Sequence, residues 1–204
     1  MDLAVDAQQL ARRYGARWAL VDVSMQVPRG SVAMIAGRNG SGKTTLLRLL
    51  ATAIRPDRGS ARVHGFDVVK EREDVRLVSA LLSHSSYLYE SLTARENLAV
   101  MEKGETSAVL ARVGLAERAN DAVATFSAGM RKRLSFARVL LQRPHVAMLD
   151  EPYGQLDPEG FAMVDEVIAE LKSQGATVLV ATHQVDRVAT FADQVIHLEA
   201  GRVR

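Results

Sequence analysis

The spacing of apolar residues changes from strand-like to helix-like and back several times along this chain. Apolar side chains recur at nearly every second position over 20–27, which is typical of a strand, and a turn follows at 27–30. A continuous apolar run at 32–36 predicts a second, buried strand. Apolar residues at helical spacing over 44–54 predict a helix. The chain therefore begins with strand, glycine-rich loop and helix.

The middle of the chain has helical spacing, and the end alternates again. We predict helices at 94–101, 106–113 and 129–142, the last with Ser127 as its N-cap. The later elements are predicted strands at 146–149, 177–182 and 194–198, and predicted helices at 160–174 and 185–191. Alternation of this kind favours parallel strands with helices on the faces of the sheet.

These elements predict an α/β fold that forms one domain over residues 1–204. We expect a core of mainly parallel strands, a small antiparallel β subdomain near the start, and a helical subdomain inserted at about residues 85–142. A chain of 204 residues can bury a substantial core but is short for two independent domains. The sequence contains no internal repeat and no Gly/Ser-rich linker, which favours a continuous fold.

Composition narrows the class of protein. The chain is 48% hydrophobic and 25% charged, as is typical of a soluble globular protein. It has no apolar stretch of the roughly 18 residues that a membrane span needs, and residues 1–10 do not resemble a secretory leader, so we expect a cytoplasmic protein. The absence of cysteine excludes disulfides and thiolate metal sites. A net charge of +2 is too small to predict nucleic acid as a partner, and we expect none.

The glycine-rich loop matches a phosphate-binding motif. Residues 37–44 read Gly-Arg-Asn-Gly-Ser-Gly-Lys-Thr, which fits the pattern G-x-x-x-x-G-K-[ST] without departure. In this motif backbone N–H groups surround the β-phosphate, Lys43 reaches the β- and γ-oxygens, and the Thr44 hydroxyl ligates Mg²⁺. The motif predicts a P-loop NTPase core with ATP and Mg²⁺ as cofactors. The nucleotide-binding candidates here are Gly37, Asn39, Gly40, Ser41, Gly42, Lys43, Thr44 and Thr45.

Three predicted strands end directly in residues that suit phosphate chemistry. These residues are Gly37 after the first strand, Asp150 and Glu151 after the second, and His183 after the third. Because the carboxyl ends of parallel strands meet at one edge of a sheet, we expect the three groups to converge. Asp150 would then hold Mg²⁺, Glu151 would polarise the attacking water, and His183 would contact the γ-phosphate.

Each of these assignments has a simpler alternative. An apolar run that ends in Asp-Glu is also common as surface charge, and a lone histidine is commonly structural. We assign His64, His145 and His197 to that structural class. The strand-end position of His183 favours its catalytic interpretation.

Several further motifs resemble those of ABC ATPases. Residues 126–130, Phe-Ser-Ala-Gly-Met, resemble the LSGGQ signature and precede Asp150 by about 20 residues. Residues 155–157, Gln-Leu-Asp, resemble the D-loop of this family, and His183 resembles its switch histidine. Tyr14 falls where the family stacks an aromatic side chain on adenine. The resemblance covers essentially the whole chain and implies the ATP-hydrolysing subunit of a membrane transporter.

The resemblance also implies partners. Ser127 and Gly129 would bind the γ-phosphate held by the P-loop of an opposite subunit, and Asp157 would join that nucleotide site, so the subunit would act as a homodimer or heterodimer. An integral membrane transporter subunit would hold the dimer at the inner face of the cell membrane. The signature departs from the family pattern at Phe126, Ala128 and Met130, which replace Leu, Gly and Gln and imply an altered contact with the nucleotide.

A histidine replaces the usual glutamine of the Q-loop. The resemblance places His84 among the nucleotide- and metal-binding residues. Together with the segment 92–98, this histidine is similar to the ATP-binding subunit of the haem exporter used in cytochrome c maturation. The alternatives are an exporter ATPase for another cargo, such as a drug, lipid or peptide, a soluble ABC ATPase outside transport, and a non-hydrolysing regulatory cassette. The intact Lys43, Asp150, Glu151 and His183 argue against the last of these.

Overall fold

The computed structural model describes residues 2–83, 87–101 and 104–204. These residues form two compact units. The first comprises Met1–Ser83, Pro144–Pro152 and Leu171–Arg204, and the second comprises His84–Arg143 and Tyr153–Glu170. Within the described residues, no helix combines the length and the apolar character that crossing a bilayer requires.

The strands of the described residues all lie in the first unit, in two sheets. A four-stranded antiparallel sheet has the order β2-β1-β4-β5, with β1 at Leu3–Tyr14, β2 at Arg17–Pro28, β4 at Arg58–Val63 and β5 at Phe66–Asp67. A six-stranded sheet has the order β10-β9-β3-β8-β7-β6, with β3 at Val32–Ala36, β6 at Ser79–Leu82, β7 at Val146–Asp150, β8 at Thr177–Thr182, β9 at Gln194–Glu199 and β10 at Arg202–Val203. The α/β class, with mainly parallel strands and a small antiparallel part, is confirmed.

The six-stranded sheet is parallel except at one edge, where β10 pairs antiparallel with β9. Every residue of β3, β7 and β8 is buried. A parallel sheet that is covered on both faces needs continuous apolar strands, which explains these runs in the sequence. The register aligns the three strand ends, since Ala36 pairs with Thr182 and Asp150 pairs with Ala181. The predicted convergence of Gly37, Asp150, Glu151 and His183 at one edge therefore follows from the pairing.

Three helices of the first unit connect these strands. They are α1 at Lys43–Leu50, α2 at Arg72–Val78 and α7 at Val185–Ala189. The predicted helix over 44–54 is too long, because the chain leaves the helix after Leu50. Thr52 adopts a left-handed conformation with φ of 60°, its N–H donates to Leu49, and the next N–H donates to Arg48. This is a Schellman ending, and a threonine stands in the place where glycine is the usual signal.

The second unit is helical. Its helices are α3 at Ala94–Ala99, α4 at Thr106–Arg112, α5 at Ala128–Gln142 and most of α6 at Pro158–Ser173. A capping box joins Thr93 and Glu96 at the start of α3. Ser127 is the N-cap of α5 and accepts a hydrogen bond from the N–H of Met130 at 3.2 Å, as predicted. This cap fixes where α5 begins.

A stacked histidine pair in the first unit should make stability depend on pH. The rings of His64 and His145 lie 4.5 Å apart. Burial, followed by the charges of Arg29 and His145, lowers the pKa of His64, and Asp2 opposes this shift. The unfolded chain therefore binds more protons than the folded one as the pH falls through about 6.5, so the protein loses stability there.

Replacement of His64 by asparagine should remove part of this loss. Asparagine tolerates the positive φ of 52° at this position and does not titrate. In urea unfolding, wild type should lose more stability than His64→Asn when the pH is lowered from about 7.5 to about 5.5. At pH of about 7.5 the two proteins should have similar free energies of unfolding. Equal pH slopes for the two proteins would contradict this assignment.

Candidate active site

The loop between β3 and α1 requires its glycines for close approach and for its backbone turn. A Cβ atom at Gly37 would lie 2.2 Å from the carbonyl oxygen of Leu198. Gly42 has φ of 111°, and a Cβ there would lie 2.6 Å from the carbonyl oxygen of Ala19. No other residue fits these positions without moving the neighbouring backbone, so the loop geometry depends on the glycines of the motif.

The loop ends at the start of α1, where backbone N–H groups are not satisfied by a side chain. Gly42 is the N-cap and makes no side-chain cap. The first N–H groups of a helix have no partner within the helix, and together with the helix dipole they favour an anion. Lys43 is only 6% exposed, and its Nζ donates to the carbonyl oxygens of Gly37 at 2.8 Å and Arg38 at 3.3 Å. The loop therefore surrounds the ammonium group of Lys43.

Two oxygen ligands meet beside the loop. The Thr44 Oγ1 donates to Asp150 Oδ1 at 3.0 Å. Asp150 is the last residue of β7 and is 2% exposed. A hydroxyl and a carboxylate are the hard oxygen donors that Mg²⁺ prefers. The phosphate-binding motif predicts the Thr44 hydroxyl as a ligand, and the strand-end position predicts Asp150. The donor set therefore fits a magnesium ion.

Glu151 has an unusual backbone and a carboxylate with several contacts. Its φ of 46° lies in the left-handed region, and its N–H donates to the carbonyl of Ala181 at 2.8 Å. Its Oε2 lies 2.8 Å from His183 Nδ1 and accepts from the Thr182 Oγ1 and the His183 N–H, each at 3.3 Å. Its Oε1 lies 4.0 Å from Lys43 Nζ. A strained backbone held by surrounding contacts is common at functional sites, and here it places a carboxylate between a histidine and the phosphate loop.

The histidine of this pair is accessible. The His183 side chain is 60% exposed, whereas the Glu151 side chain is 23% exposed. When Nδ1 donates to the carboxylate, the second ring nitrogen of His183 is left for another partner. The pair can therefore act on a group that approaches from solvent.

Lys43, Thr44 and Glu151 line a cleft in the first unit with a volume of about 530 Å³. Its lining residues are Tyr14, Arg17, Ala19, Asn39, Gly40, Gly42, Lys43, Thr44, Thr45 and Glu151. Tyr14 is 48% exposed, and the guanidinium of Arg12 lies 5.2 Å from the centre of its ring. An exposed aromatic face at one part of the cleft and a phosphate loop at another suit a nucleotide.

The residues that resemble the signature and the D-loop lie together in the second unit. A Cβ atom at Gly129 would lie 3.1 Å from the carbonyl oxygen of Gln155. Asp157 accepts from the N–H of Gly160 at 2.8 Å and from Arg133 at 3.3 Å. The hydrogen bond from Gly160, followed by the charge of Arg133, lowers the pKa of Asp157 below its usual value. Asp157 is therefore an anion that pairs with Arg133 of α5.

Comparison with known proteins identifies the family. A family model described as ABC transporter matches residues 20–154 of this chain. The chain belongs to the ABC transporter family. Its fold agrees with a solved dimeric ATP-binding cassette in a post-hydrolysis state bound to ADP and Pi, at 25% identity and a TM-score of 0.87. That alignment covers 98% of this chain and 96% of the solved one.

Two curated ABC relatives are equally similar in sequence. A daunorubicin resistance ATP-binding protein from Streptomyces coeruleorubidus is 38% identical, over 99% of this chain and 67% of the relative. An aliphatic sulfonates import ATP-binding protein from Pseudomonas aeruginosa is also 38% identical, over 95% of this chain and 71% of the relative. These relatives support the family's ATP-binding character and give no support to the predicted resemblance to a haem exporter.

The ABC site residues predicted from the sequence fall into three groups. The first unit contains the P-loop residues, and it also contains Tyr14, Asp150, Glu151 and His183. Ser127, Gly129 and Asp157 lie in the second unit. His84 lies outside the described residues.

Sequence reasoning missed two residues of the site. Thr182 was recognised only as a strand end, although its hydroxyl contacts Glu151. Arg17 carried no motif, and its place three residues after Tyr14 was the only signal available.

Proposed function

We propose that this chain is the ATP-hydrolysing subunit of an ABC membrane transporter and that it works as a dimer with MgATP. The observation that carries this proposal is the meeting of three groups at one edge of the parallel sheet. These groups are the phosphate loop with Lys43, the Thr44–Asp150 pair and the Glu151–His183 pair. Ligands of open α/β sheets bind beyond the carboxyl ends of the strands, which is where these groups stand.

The nucleotide would bind with its adenine against Tyr14 and its phosphates in the loop. Residues 37–45 supply the N–H groups and the start of α1 supplies a favourable dipole. Lys43 would transfer its hydrogen bonds from the loop carbonyls to the β- and γ-oxygens. Thr44 and Asp150 would hold Mg²⁺, which supplies charge neutralisation at the phosphates.

Hydrolysis would use Glu151 as the base. Its carboxylate would orient a water molecule and accept its proton while the water oxygen attacks the γ-phosphorus. The bond to the bridging oxygen breaks, and ADP and phosphate are the products. His183, bonded to Glu151 through Nδ1 at 2.8 Å, would hold that carboxylate and direct its other nitrogen toward the γ-phosphate.

A second subunit would complete the site. The N-terminus of α5, capped by Ser127 and with Gly129 in its first turn, suits the γ-phosphate of a nucleotide held by the opposite P-loop. The solved cassette with ADP and Pi is dimeric, which supports this arrangement for a protein of the same fold. The methyl group of Ala128 and the thioether of Met130 would change the contacts of the signature without removing the serine or the glycine.

The membrane partner would be an integral transporter subunit, and this chain would lie on the cytoplasmic face beside it. The two relatives of equal identity are named for drug resistance and for sulfonate import, so identity alone does not distinguish a cargo or its direction. The prediction of haem export rests on His84, which lies outside the described residues, together with the segment 92–98, and it finds no support among these relatives. We therefore propose transport without a named cargo.

The Glu151→Gln variant tests this proposal, because it should keep ATP bound. In size-exclusion chromatography it should elute as a dimer with MgATP and as a monomer with ADP. The matched control adds Gly129→Asp, which places a negative charge where the γ-phosphate would sit. Because its Cβ would lie 3.1 Å from the carbonyl oxygen of Gln155, circular dichroism checks that the double variant is folded. This double variant should stay monomeric.

The Glu151→Gln variant, carrying an affinity tag, can also be purified from detergent-solubilised membranes. A multi-spanning protein should elute with the Glu151→Gln variant. Elution of Glu151→Gln as a monomer at saturating ATP contradicts the dimer, and recovery without any membrane protein contradicts the transport role.

A further inference from the structure

Arg17 lies in the nucleotide cleft but belongs to none of the motifs described above. It is the first residue of β2, is exposed, and lines the cleft together with Tyr14 and the phosphate loop. One guanidinium nitrogen lies 3.9 Å from the point where a Cβ atom of Gly40 would stand. The guanidinium therefore stands beside the phosphate loop itself.

The charge of Arg17 is not neutralised within the described residues. No carboxylate there lies within ion-pair distance of its guanidinium, and no hydrogen bond to it is formed. Arg12, on the neighbouring strand β1, differs in this respect, because it pairs with Asp57 at 3.4 Å. An unpaired arginine beside an anion-binding loop is available for an anionic ligand.

A nucleotide in the cleft would be stabilised by a second positive charge beside that of Lys43. Lys43 is the other cationic side chain that lines the cleft. Its ammonium is bonded to two loop carbonyls and stands 4.0 Å from the carboxylate of Glu151. A polyphosphate that carries several negative charges would therefore gain from a second cation on the open side of the loop.

We propose that Arg17 is a phosphate-binding residue of the nucleotide site, an inference that rests on the proposed function. Its guanidinium donates to phosphate oxygens of the bound nucleoside di- or triphosphate and holds them against the loop at Gly40. A planar guanidinium matches two phosphate oxygens at once, which a lysine ammonium does not. Because the proposed contacts are to phosphate oxygens alone, the contribution of Arg17 should be independent of the base.

Calorimetric titrations with ATP, ADP, GDP and adenosine test this role. Arg17→Gln should weaken ATP and ADP binding by about 10-fold, as expected for the loss of a charged hydrogen bond, and should leave adenosine binding unchanged. The loss should be similar for ADP and GDP. Arg17→Lys should recover part of the affinity for ADP, and the salt dependence of ADP binding should be shallower for Arg17→Gln than for wild type.

Arg55→Gln is the matched control. Arg55 is an exposed arginine of the same unit that does not line the cleft, and its replacement changes the net charge by the same amount. It should bind all four ligands as wild type does. Thermal unfolding of each variant checks that the fold is retained.

Each outcome decides the inference. Wild-type affinity for ATP and ADP in Arg17→Gln overturns it, and so does an equal loss for adenosine, which would assign Arg17 to the base instead. A failure of the proposed function is distinguishable, because wild type itself would then not bind ATP.

Discussion

Glu151→Gln should lower the rate of ATP hydrolysis by about 10²- to 10⁴-fold while ATP binding is retained. The amide has nearly the same size and can still accept from the Thr182 hydroxyl and the His183 N–H, so the left-handed turn should persist. It cannot accept a proton from water at neutral pH. The change therefore removes the base and leaves the loop, Lys43 and the Thr44–Asp150 pair in place.

Steady-state phosphate release and equilibrium binding of ATP measure the two parts of this expectation. Glu73→Gln is the matched control, since Glu73 is an exposed residue in the first turn of α2 and outside the cleft. It should hydrolyse ATP at the wild-type rate. Turnover near wild type in Glu151→Gln would remove Glu151 from the role of base and would direct attention to the neighbouring His183.

The strand ends were predictable because two independent patterns agree on them. Fully buried parallel strands appear in the sequence as short apolar runs, and each of these runs stops at a residue that phosphate chemistry uses. The parallel pairing of β3, β7 and β8 then places Gly37, Asp150 and His183 at one edge. Neither pattern requires knowledge of contacts that are distant in sequence.

The region between the P-loop helix and the helical unit was not predicted in detail, because its apolar pattern is weak. The first three residues of β4 are exposed, and β5 is only two residues long. The helix α2 has one fully buried residue, Val75. In β1, a register shift between Gln8 and Ala11, with φ of 52° at Gln9, interrupts the alternation on which a strand prediction depends.

The contacts within the site were less predictable than its members. Sequence position places Glu151 and His183 near the same edge, but their 2.8 Å contact depends on a positive φ at a glutamate, which no local pattern predicts. Arg17 reaches the cleft because β2 pairs with β1 near Tyr14, a consequence of sheet register. Contacts of this kind depend on tertiary structure and not on residue type.

Lys43→Ala should abolish nucleotide binding, with a loss of affinity for ATP and ADP on the order of 100-fold or more. The lysine is 6% exposed, and it is held at the loop by two carbonyl groups. Its removal deprives the phosphates of a charge that is itself shielded from water, where such a charge contributes most. The two loop carbonyls also lose their donor, so the loop itself should bind anions less well.

Lys70→Ala is the matched control, because Lys70 is an exposed lysine of the same unit that does not line the cleft. It should bind ATP as wild type does. Circular dichroism of Lys43→Ala should show a folded protein, so that lost binding is not confused with lost structure. Unchanged ATP affinity in a folded Lys43→Ala protein would refute the assignment of residues 37–44 as the phosphate loop. Lys43→Ala and Glu151→Gln therefore separate two functions of one sheet edge, since the first should remove binding and the second should remove only the chemical step.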